Sequence, residues 1–125
     1  MVWTYTAYIL WKYAEEVKRG TELSFDDFVD FVFVDLGRKH RLFLHDGRED
    51  LYLDLKYLED LGAIEIENDS NEKIKITNRD ELRRIASIVE DFPRRGKVEL
   101  LREYLYRIDD AIATVKQKSV PPTGR

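Results

Sequence analysis

A chain of 125 residues, 43% hydrophobic and 37% charged, can bury one real core but is too short for two ordinary domains. The absence of cysteine excludes disulfides, thiolate nucleophiles and cysteine zinc sites, and no apolar run approaches the roughly 20 residues that span a bilayer. A formal charge of −4 excludes a uniformly basic nucleic-acid binder but not one with segregated charge.

Met1-Val2-Trp3-Thr4-Tyr5 lacks the basic start of a secretory signal, so a cytoplasmic protein is expected. A single Met and a single Gln beside abundant Lys, Arg and Glu match the composition of a thermophile. Charge is segregated. Residues 21–36 carry Glu22, Asp26, Asp27, Asp30 and Asp35 and no base, whereas 37–48 carry Arg38, Lys39, Arg41 and Arg48 against Asp46 alone.

In chain order, Trp3, Ala7, Leu10, Ala14 and Val17 recur at heptad-like steps and predict a helix from about Tyr5 to Arg19, ended by Gly20. Tyr5, Tyr8, Trp11 and Tyr13 surround that seam with more aromatic area than one small face needs, which points to contact with a second helix or a second subunit, the other reading being an ordinary core helix. Ser24 caps a second helix whose inner face is Phe25, Phe28, Val29, Val32 and Leu36 and which Gly37 closes, although the run Phe31-Val32-Phe33-Val34 reads equally as a buried strand. The connection to Gly47 has room for one brief strand at Leu42-Phe43-Leu44. Asp46, with Glu49, is expected to cap a third helix carrying Leu51, Leu55, Leu58 and Leu61 on one face and stopped by Gly62.

Beyond it, Ile64 and Ile66 alternate with Glu65 and Glu67, and Ile74 and Ile76 with Lys73, Lys75 and Thr77, which is a hairpin with one buried face. Asn78 and Glu81 open a fourth helix through Leu82, Ile85, Ile88 or Val89, and Phe92, up to Pro93; Arg94-Arg95-Gly96 forms a turn. Val98, Leu101, Leu105, Ile108, Ile112 and Val115 then step as a strict coiled-coil seam. The division expected is an N-terminal helix over 1–20, a central domain over 21–92, a C-terminal helix over 97–118 and a disordered tail over 119–125.

Leu55 to Ile64, followed by the hairpin and by Ile74-Lys75-Ile76-Thr77, resembles the recognition helix and wing of winged helix-turn-helix proteins. With long helices at both termini the layout is similar to PadR-type small regulators. That resemblance implies a mainly α fold with a small β-hairpin, and a homodimer that places its third helix in the major groove of double-stranded DNA. It implies DNA contacts from Arg38, Lys39, Arg41, Arg48, Tyr52, Lys56, Tyr57, Lys73 and Lys75. The terminal seams nominate a dimer interface of Trp3, Leu10, Trp11, Val98, Leu101, Leu105, Ile108, Ile112 and Val115.

The presumed recognition helix departs from this pattern, holding two bases and five acids between Arg48 and Asp60. The expected function is a dimeric transcriptional regulator; the alternative is a protein-interaction module whose acidic surface takes a basic protein partner. No phosphate loop, nucleophile elbow or triad is visible, so no enzyme and no cofactor are expected. His40, His45 and Asp46 have the only metal flavour, and without a third ligand no metal site is assigned.

Overall fold

Apolar spacing resolves into a mainly helical chain with one small sheet in the computed structural model, which describes residues 2–68, 72–91 and 99–119. The elements run α1 (Val2–Lys12), β1 (Glu22–Ser24), α2 (Phe25–Asp30), α3 (Arg48–Asp60), β2 (Ile64–Asn68), β3 (Glu72–Ile76), α4 (Arg79–Asp91) and α5 (Glu99–Ser119). Two helices continue without a break into π-helical turns, α1 through Tyr13–Lys18 and α2 through Phe31–Arg38.

The hub is α1. Ala7, Ile9, Leu10 and Ala14 are fully buried, and Tyr5, Tyr8 and Tyr13 nearly so, because α3 and α4 pack on α1 itself while α5 packs on its π-helical extension. A helix apolar on every side belongs in the middle of a core. The surplus of aromatic area is met inside the chain: Tyr5 meets Tyr104 edge-on at 5.7 Å, and Tyr13 sits 5.7 and 4.9 Å from Phe28 and Phe31. The two terminal seams likewise meet within one chain. Leu10, Ile108 and Ile112 share the core, and Trp3, Trp11, Leu105 and Val115 pack against it half-buried. Tyr8 Oη donates to Asp109 at 2.7 Å, and Lys116 lies 3.8 Å from Glu16. Val98 and the side chain of Leu101 lie outside the described residues, as do Phe92 to Lys97 and the tail from Val120 onward.

The π-helical turns shift the apolar stripe of the second helix. Each donor reaches back five residues rather than four, so one extra residue enters the turn. Phe31, whose N–H still bonds back four residues to the Asp27 carbonyl where these turns begin, joins Phe25, Phe28, Val32 and Leu36 in the core, while Val29 is only half-buried. Gly37 does not end this helix. It is buried under the Phe43 ring, where a Cβ would stand 2.5 Å from Cε1 of Phe43. The chain turns instead at Arg41, in the left-handed region at φ 58°, and Leu42-Phe43-Leu44 forms no strand. Similarly, the first helix ends on Arg19 at φ 54° rather than on Gly20.

The sheet is antiparallel in the order β1-β3-β2. Ile66 faces Ile74 and Ile64 faces Ile76, all four side chains buried, with Glu65 opposite Lys75 and Glu67 opposite Lys73 on the outer face. The third strand, β1, was not expected: three residues are too few to display a period, and Leu23 is placed by pairing with Ile74. Ser24 Oγ accepts from the Asp27 N–H at 3.3 Å and Asn78 Oδ1 from the Glu81 N–H at 3.1 Å, the two caps expected. Asp46 does not cap α3. Gly47 occupies that position without a side chain, and Asp50 reaches back to accept the Asp46 N–H at 3.1 Å.

Candidate functional site

Helix α3 is positioned by its buried row, Leu51, Leu55 and Leu58, each with no exposure, which seats it against α1. At its end Leu61 has left that row and is 39% exposed, since the helix closes there and Gly62 turns at φ 84°. A second apolar row runs along the outer face: Leu53 is 65% and Tyr57 45% exposed, one turn apart, with Leu61 one turn further. The half-buried Trp3 meets Tyr57 edge-on at 4.8 Å and widens this row toward the start of α1.

The bases nominated for DNA stand largely in ion pairs. Arg48 donates to Asp26 at 2.6 Å and to Glu72 at 3.4 Å while its guanidinium lies over the Phe25 ring at 4.7 Å. The hydrogen bond from Arg48 to Asp26, foremost, holds the guanidinium still more firmly protonated. Lys56 donates to Glu59 at 2.6 Å, and Lys75 contacts Glu67 at 2.8 Å and Glu22 at 3.9 Å. Both ammonium groups are shifted upward, chiefly by the hydrogen bonds they donate to Glu59 and Glu67. Lys39 is 3.5 Å from Asp35. Tyr52 is half-buried edge-on to Phe25 at 5.8 Å, with Arg48, Glu49 and Glu72 lining the cleft between them. Arg38, Arg41 and Lys73 make no ion pair among the described residues, Arg38 and Arg41 being exposed and Lys73 half-buried.

The connection between the second and third helices is fixed at both ends. Arg107 of α5 donates to the carbonyls of His40 and Arg41 at 3.2 and 3.0 Å, and His40 Nδ1 donates to the Asp35 carbonyl at 2.8 Å. At the other end the His45 side chain has no exposure, and its Nε2 lies 2.8 Å from Thr6 Oγ1 and 2.9 Å from Asp54 Oδ2. Thr6 Oγ1 also donates to Asp54 Oδ2 at 2.9 Å. A carboxylate neighbour requires a proton on Nε2, so the imidazole donates there, while Nδ1 is buried without a hydrogen-bond partner. The two histidines thus serve separate ends of one loop, and no three His, Cys, Asp or Glu side chains among the described residues are grouped for a metal ion. No described helix is long and apolar enough to cross a membrane.

Sequence reasoning placed Tyr57 on the working face of α3 but for DNA, and it missed Leu53 and assigned Leu61 to the core. The signal was present. Leu53, Tyr57 and Leu61 repeat at steps of four, a row displaced from the Leu51, Leu55 and Leu58 row. No protein-family model matches the chain, and no curated protein or solved structure matches it either.

Proposed function

We propose that the order helix, strand, helix, helix, strand, strand over residues 2–76 is a winged helix-turn-helix, and that it acts as a protein-interaction module through α3. The three-stranded sheet in the order β1-β3-β2 supports the first part, since the β2-β3 hairpin then stands beside α3 as a wing. One observation carries the second part: the outer face of α3 offers Leu53, Tyr57 and Leu61, while Arg48 and Lys56, its only bases, are paired with Asp26, Glu72 and Glu59. A phosphate backbone needs cations that are free to release its counterions, and an exposed apolar row gains nothing from it. Apolar residues repeated along one helix face are instead what a protein partner buries.

A dimeric DNA-binding regulator is the second reading. It is favoured by Arg38, Arg41 and Lys73, which carry no ion pair among the described residues. The discriminating experiment is duplex DNA binding at low and moderate salt, with the solution mass recorded in the same buffers. The interaction module is expected to bind duplex weakly at low salt, with no loss on Arg48→Ala or Lys56→Ala. Tight binding by a dimer that falls steeply with salt, and that Arg38→Ala with Arg41→Ala weakens across all sequences, would give the protein to the regulator reading.

A further inference from the structure

We infer that the partner of α3 is a basic amphipathic helix laid along the Leu53, Tyr57 and Leu61 row. This rests on the interaction-module reading and adds to it the shape and charge of the occupant. The shape follows from spacing. Side chains at i, i+4 and i+8 form a ridge inclined to the helix axis, and such a ridge packs into the groove between corresponding rows of another helix. From Leu53 to Leu61 the row rises about 12 Å, enough for three anchors of a partner helix at i, i+4 and i+7.

The charge follows from what borders the row. Glu49 and Asp60 are exposed at its two ends, with half-buried Asp50 beside Glu49. The bases within reach, Arg48 and Lys56, are already held by Asp26, Glu72 and Glu59. A second copy of α3 would bring the same acids face to face, which like-charge repulsion disfavours, whereas lysines or arginines flanking an apolar stripe meet these acids with opposite sign.

The test uses the full chain and three synthetic helical peptides of about 18 residues, roughly 27 Å long as helices. The first carries leucines at i, i+4 and i+7 flanked by lysines; the second replaces the lysines by glutamates; the third replaces the leucines by serines. Titrations followed by backbone amide NMR are expected to give saturable shifts centred on Leu53, Tyr57 and Leu61 with the first peptide. Affinity should drop at least about tenfold with each of the others, and at least about tenfold for Leu53→Ser, a highly exposed position whose replacement leaves the fold intact.

Shifts elsewhere, equal binding of the lysine and glutamate peptides, or no binding would overturn the inference. So would a dimer that Leu53→Asp converts to monomer, because the row would then be covered by a second copy. Failure of the underlying reading looks different: salt-dependent duplex binding that shifts the same α3 amides and competes with the lysine peptide.

Discussion

Tyr8 of α1 donates its phenolic hydrogen to Asp109 of α5 at 2.7 Å across 101 residues of sequence, and so ties the two ends of the chain together. The bond sits at the edge of the core, with Tyr8 buried and Asp109 half-buried. Burial first, and then the Asp109 bond and charge with Glu90 and Glu16, push the Tyr8 hydroxyl far above its ordinary value of 10.0. Tyr13 is raised as well, by burial and then by Asp27, Asp35 and Asp30.

Tyr8→Phe is expected to lower stability by about 1 kcal/mol, read by urea unfolding near neutral pH. The pH dependence has a defined sign. Both phenols hold their protons more tightly folded than unfolded, so their contribution is complete below about pH 10 and declines as pH rises above it, when the unfolded chain ionises first. Tyr8→Phe should therefore flatten the alkaline limb of the stability profile. An unchanged alkaline limb would remove Tyr8 from this role.

Glu59 gives the acid limb. Its carboxylate accepts the Ile66 N–H at 2.8 Å and the Lys56 ammonium at 2.6 Å, and these, the backbone bond first, hold it below its usual 4.5. A lowered carboxylate stabilises the fold above its unfolded value and loses that contribution as pH falls through the folded one. Glu59→Gln is expected to cost about 1 kcal/mol at neutral pH and much less well below pH 4. Matched unfolding curves at the two pH values decide it.

Thr6, His45 and Asp54 act as one unit. Asp54→Ala leaves the His45 N–H and the Thr6 hydroxyl facing a vacated acceptor, and a loss of about 2–3 kcal/mol is expected. Thr6→Val removes a donor while keeping the shape, at a cost of about 1 kcal/mol. The double variant should lose clearly less than the sum, and strict additivity in chemical denaturation would mean that Thr6 and Asp54 are not coupled.

Gly62 turns at φ 84° in open space, so Gly62→Ala is expected to cost about 1 kcal/mol from backbone strain alone. Gly37 behaves differently, because its obstacle is a side chain. Gly37→Ala should be destabilising against the Phe43 ring and become neutral or stabilising in a Phe43→Ala background. Equal effects in both backgrounds would exclude the steric explanation.

The buried face of the hairpin, the Ser24 and Asn78 caps and the buried row of α3 were legible because each is a local pattern: alternation, a capping spacing, a helical step. What escaped was set by geometry that sequence spacing does not carry. The π-helical turns of the second helix break the regular period from Phe31 onward, and β1 is too short to have a period at all. Arg19 and Arg41 occupy the left-handed turns, where the sequence points to Gly20 and Gly37. At the candidate site the residue types were legible but their pairing was not. Arg48 reads as a phosphate contact until Asp26, 22 positions earlier, and Glu72, 24 later, are seen around it.

The central place of α1 bears on how this protein is made. Its buried face is covered by α3 and α4, and its π-helical extension by α5, all of them later in the chain. On a ribosome adding about 5–20 residues per second, α1 waits several seconds for these later helices with Ala7, Ile9 and Leu10 uncovered. Its tie to Asp109 cannot close until α5 has emerged. The step that secures α1 thus waits for α5, the last of the described elements to pack on it, and until then α1 is a hydrophobic segment for chaperones to shield.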